Sequence, residues 1–152
     1  MKHLHAIAIV LGFCLQSLTG YTQPGNAPKP PLFNNFPDII NCAESELDRV
    51  FTSNEGQLIN LSFSSNFNFA GTVISNVVKY SNLKSAVIKS PAFHNTIFHL
   101  SKRINDDNSI TYVGVILNQN YFDGYELRKD AAGNYQLIKM ETDKVIQDCG
   151  LH

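Results

Sequence analysis

Two hydrophobic periods divide the chain. Between Asn35 and Gly56, apolar residues recur at Ile39, Ile40, Ala43, Leu47, Val50 and Phe51, while Glu44, Glu46 and Asp48 face the other way. At 100° per residue the six apolar directions fall within about a third of the helix circle, so the spacing predicts an amphipathic helix. Asn35 and Asp38 resemble a helix start. Pro37 sits in the first turn, where its missing N–H does no harm, and Gly56 closes the segment.

From Gln57 the period becomes two. Candidate strands cover 57–63, 67–80, 84–90, 96–104, 109–118, 124–130, 134–141 and 144–149. Short polar breaks at 64–66, 81–82, 105–108 and 131–133 read as hairpins, so sequence neighbours should pair antiparallel. Phe67, Phe69, Val73 and Val77 share one face, with Asn68, Thr72 and Asn76 opposite. The stretch 111–117 (TYVGVIL) is apolar on both faces and predicts a central strand covered on both sides. Gly71 and Gly114 mark bends or close backbone approach in a curved sheet. Over 144–149 the reading stays open, because Thr142 would also cap a short helix ending at Gly150. The expected fold is α+β and predominantly β. An N-terminal amphipathic helix packs on a curled antiparallel meander of seven or eight strands, as far as a partly closed barrel.

The first residues follow neither period. Lys2 precedes an apolar run from Ala6 to Leu18, then Gly20 and Thr22 in a small-x-small pattern. This predicts a signal peptide over 1–22, cut before Gln23, and a secreted or periplasmic product. The run is shorter than the about 20 residues a membrane helix needs, and no later stretch is apolar enough to span. Acylation at Cys14 is disfavoured by Phe13, where a small residue is required. Residues 23–34 carry four prolines between Pro24 and Pro31 and read as a flexible lead-in. A single domain follows over 35–152, within a mature chain of about 130 residues.

Charge and cysteines narrow the functional classes. With Lys2 removed, 11 basic residues face 13 acidic ones and are scattered, which argues against a nucleic-acid surface. Removing Cys14 leaves Cys42 and Cys149, whose even count in an exported chain predicts a disulfide tying the helix to the last strand. By chain entropy, a loop of that length stabilises by about 4–5 kcal/mol.

No catalytic or cofactor motif stands out. His94 and His99 are five apart, without the glutamate of a zinc-binding helix, and Asp106-Asp107-Asn108 lacks the ligand alternation of a calcium loop. No metal site or cofactor is expected. Asn60-Leu61-Ser62 is a glycosylation sequon within a predicted strand. In a simple meander, however, the breaks at 64–66, 90–95 and 119–123 gather at one end of the sheet. That end holds Phe93, His94, Asn95, Asn120, Tyr121, Phe122 and Asp123. Aromatic rings beside amides and a carboxylate suit recognition of a glycan, peptide or protein. The competing reading is that the rings fold back and plug the core. The sequence thus ranks a small non-catalytic binding module first and an inhibitor or propeptide-like regulator of an extracellular hydrolase second. An enzyme using His94 with Asp123 comes last.

Overall fold

A computed structural model describes residues 28–143. The elements are β1 (Ile39–Cys42), α1 (Glu44–Thr52), β2 (Leu58–Ser64), β3 (Phe67–Tyr80) and β4 (Leu83–Ser90). A 3-10 turn (Pro91–Phe93) leads to β5 (Thr96–Ile104), β6 (Ile110–Leu117), β7 (Asp123–Lys129) and β8 (Tyr135–Glu141). The eight strands form one antiparallel sheet in the order β1-β8-β7-β6-β5-β4-β3-β2. Strands β2 to β8 are a meander. The two edge strands, β1 and β2, come close without joining, so the sheet is a nearly closed barrel.

The alternation seen in the sequence sorts residues between inside and outside. Phe67, Phe69 and Val73 of β3 point inward, as do Ala86 and Ile88 of β4, Phe98 and Leu100 of β5, and Tyr125 and Leu127 of β7. Gly71 and Gly114 sit where neighbouring strands press in. A Cβ at Gly71 would lie 2.6 Å from the Lys89 carbonyl oxygen, and one at Gly114 would lie 2.6 Å from that of His99. Strand β6 departs from the expectation of two covered faces. Tyr112 and Ile116 are buried, but Val113 on the outer side is 55% exposed. Its ladder with β7 extends only over Gly114–Ile116, and beyond it the Tyr135 hydroxyl bridges the gap. That hydroxyl accepts the Tyr112 N–H at 2.9 Å and lies 3.5 Å from the Ile110 carbonyl oxygen.

The expected helix over 35–56 is corrected. Ile39–Cys42 is strand β1, paired with β8, and the helix is only the nine residues of α1. Four residues are too few to show a period of two. Ile40 and Cys42 face inward while Ile39 and Asn41 face out, and Ile39 and Ile40 match the helical spacing by coincidence. Helix α1 buries Leu47, Val50 and Phe51. It is fixed by Asp48, which takes Lys102 as ion-pair partner and accepts the Tyr112 hydroxyl at 3.0 Å. The Lys102 hydrogen bond is the main cause holding the Asp48 carboxyl below the usual range.

Part of the lead-in packs on the barrel. Phe33 is fully buried in the core cluster, with Leu32 and Phe36 packed against it. Leu32 and Phe33 are packed in this way, while Pro28, Pro30, Pro31 and Asn34 are exposed. The expected signal peptide over 1–22 and the segment 144–149 lie outside the described residues.

Candidate functional site

Hydrogen bonds join two of the three loops expected at one end, 90–95 and 118–122. After the 3-10 turn, His94 and Asn95 adopt left-handed backbone conformations, with φ of 52° and 64°. Two consecutive non-glycine residues in that region cost strain and persist only where their surroundings hold them. The holder is Asn118, which is buried. Its side-chain N–H group donates to the His94 carbonyl oxygen at 3.0 Å and to Thr96 Oγ1 at 3.3 Å. Its side-chain oxygen accepts the Asn120 N–H at 3.1 Å, and its own carbonyl accepts the Tyr121 N–H at 3.0 Å. Thr96 Oγ1 donates in turn to the Phe93 carbonyl oxygen at 2.5 Å. One buried amide thus joins the 90–95 loop to the 118–122 loop.

The seven candidate residues separate into two groups. His94, Asn95, Asn120 and Tyr121 form the outward group. The His94 and Tyr121 rings lie 5.6 Å apart, tilted by 31°. His94, but not Tyr121, lines a groove of about 410 Å³. It is lined by His94, Asn95, Asn118, Gln119 and Asn120 from the loops, and by Lys89, Ile97, His99 and Leu117 from β4, β5 and β6. His99 is a paired sheet residue, as its place in the sequence implied, and its exposed side chain also enters this groove.

Phe93, Phe122 and Asp123 form the other group. The Phe93 ring turns inward and meets Phe33, Phe36, Phe67 and Phe69 at centroid distances of 5.4 to 5.8 Å. Phe93 is partly buried and packed against the core. Phe122 keeps 40% of its surface exposed but faces the outside of the sheet, beside Ile39, Ile138 and Met140. Asp123 is buried, and its two carboxylate oxygens accept the backbone N–H groups of Leu32 at 2.5 Å and Phe33 at 2.9 Å. An acid engaged in this way is a structural anchor for the lead-in, and His94 has Tyr121 as its ring neighbour instead. Sequence reasoning did not find Asn118 or the burial of Phe33. Asn118 is one more polar residue at a strand end, and nothing local marks it as buried.

The remaining candidate chemistry is sparse. Cys42 is a free, buried thiol, so its expected bridge to Cys149 is not among the bonds of the structure, and Cys149 lies outside the described residues. Burial pushes the Cys42 pKa up to about 12. Among the described residues, no group of three or more His, Cys, Asp or Glu side chains could hold a metal ion. Among the same residues, no helix is long and apolar enough to cross a membrane. No family model, curated protein or solved structure matches the chain.

Proposed function

We propose that this chain is a small exported, non-catalytic binding module that recognises a glycan at the groove lined by His94, with the Tyr121 ring against that histidine. The observation that carries this reading is the strained His94-Asn95 pair, held by a buried amide at the rim of a groove. Backbone strain of this kind concentrates where a surface must be pre-organised. The chemistry of the rim favours a hydroxyl-rich ligand. Side chains of Asn95, Gln119 and Asn120 can both donate and accept hydrogen bonds, as sugar hydroxyls do. The paired rings of His94 and Tyr121 offer an amphipathic surface for the less polar side of such a ligand. Export rests on the leader-like composition of residues 1–22.

A glycan array followed by calorimetry tests this. Replacing Asn120 or Tyr121 by alanine should weaken the best ligand about tenfold or more, the range of one or two lost hydrogen bonds or an aromatic contact. Phe122→Ala, on the outer side of the sheet, should leave affinity unchanged. Absence of glycan binding by the folded chain would remove the reading.

A further inference from the structure

The lead-in is held in an unusual manner for part of a core. Residues 30–38 have no strand or helix of their own until the last of them approaches β1, yet their main chain is engaged almost step by step. The Phe122 N–H donates to the Pro30 carbonyl oxygen at 3.0 Å. The Asp123 carboxylate accepts the N–H groups of Leu32 and Phe33. The Lys139 ammonium donates to the Phe36 carbonyl oxygen at 2.7 Å, the Tyr125 hydroxyl to that of Pro37 at 2.6 Å, and the Lys139 N–H to that of Asp38 at 2.8 Å. Three side chains and two backbone groups of β7, β8 and the preceding loop therefore read main-chain atoms. One side chain enters deeply: Phe33 is fully buried, with Phe36, Phe67, Phe93 and Tyr125 at ring distances of 5.1 to 6.1 Å.

This combination is how extended peptides are recognised: main-chain hydrogen bonds for affinity, and a pocket for one anchor residue. The segment's own sequence suits that role. Pro28, Pro30 and Pro31 stiffen the approach and lack N–H groups, so the first consecutive donors belong to Leu32 and Phe33. Those are the two donors that Asp123 accepts.

We propose that this end of the barrel is a binding site for an extended, proline-led peptide with a phenylalanine anchor. Its own residues 30–38 fill it in cis, and residues 30–36 of a second copy of this chain fill it in trans. The site is distinct from the groove lined by His94 and Asn120 and uses Asp123, Tyr125 and Lys139. Exchange between two copies needs rotation only near Pro37 and Asp38, because β1 stays paired with β8, and such reciprocal exchange closes as a twofold dimer.

The test uses the full-length chain and a labelled peptide of residues 28–38, with binding read by fluorescence anisotropy. Phe33→Ala empties the pocket in cis and should raise affinity for the peptide at least tenfold over the unsubstituted chain. The same peptide carrying alanine in place of Phe33 should lose that gain. Leu32→Pro provides a second route. It removes one of the two donors to Asp123 in cis while leaving every side chain of the site in place, and it should also admit the peptide. A folded Phe33→Ala or Leu32→Pro chain that ignores the peptide, or binds it regardless of the phenylalanine, overturns the proposal. If Phe33→Ala does not fold, Leu32→Pro alone decides. If neither folds, failure of two differently tagged unsubstituted copies to form mixed dimers after joint refolding at high concentration overturns it.

Discussion

Cys42 shows how much one side chain's burial controls. Its thiol is buried, donates to the Ile40 carbonyl oxygen at 3.6 Å and accepts from the Leu137 backbone. Desolvation raises its pKa from 9.0 to about 12 in the folded chain. The unfolded chain therefore loses this proton first as the pH rises. Stability is unaffected by this group below about pH 9 and falls through the window up to about 12, by at most about 1.4 kcal/mol per pH unit. Tyr112 and Tyr125, both raised mainly by burial, act in the same direction. Urea unfolding at pH 7, 9 and 10.5 should show this loss, and Cys42→Ala should flatten it. An equally steep fall in Cys42→Ala would assign the effect to the tyrosines. At this scale the sequence says little. Asp123 lies between an outward phenylalanine and a glycine, with no local sign that it is buried and holding residues ninety positions away.

Among the elements, α1 is the one whose ends are unevenly served. Ala43 occupies its N-cap without a side-chain hydrogen bond. At the other end, the Asn76 side chain donates to the carbonyl oxygens of Val50 at 3.2 Å and Ser53 at 2.8 Å. Two substitutions should therefore act with opposite sign. Asn76→Ala leaves helix-end carbonyls without their donor and should cost about 1–2 kcal/mol. Ala43→Ser supplies the missing cap acceptor at an exposed position and should gain about 0.5–1 kcal/mol. Denaturant midpoints measure both. A neutral Asn76→Ala would mean that water replaces the amide there. The strands were readable because seven of them are long enough to alternate several times. Strand β1 was not, since Ile39 and Ile40 fit a helical stripe with Leu47 and Val50 as well as they fit a short strand. The packing of Phe33 was hidden for a related reason. The prolines of the lead-in exclude regular structure, but they do not exclude packing by one phenylalanine.

The meander order of the whole molecule makes almost every pairing local, with one exception. Strands β2 to β8 each pair with their sequence neighbours across short turns, whereas β1 joins β8 by setting Ile39 against Ile138, about a hundred residues along the chain. Closing that loop costs entropy before any contact is gained, so the meander should form first and the β1–β8 seam last. Conservative deletions inside the barrel can measure this order. Ile40→Val on β1, Ile88→Val on β4 and Ile116→Val on β6 each remove one methyl from a buried side chain and should destabilise by about 1 kcal/mol. That is enough for a φ-value from stopped-flow chevrons. At Ile88 and Ile116 the loss should appear mainly as slower folding, with φ about 0.5 or above. At Ile40 it should appear almost wholly as faster unfolding, with φ near zero. A high value at Ile40 would mean that the seam forms with the nucleus. The last step of folding would then differ as well, because the lead-in hangs from the same strand. Phe33 can settle against Tyr125 and Phe67 only after β1 is in register, so the mouth of the barrel should be the last region to fill.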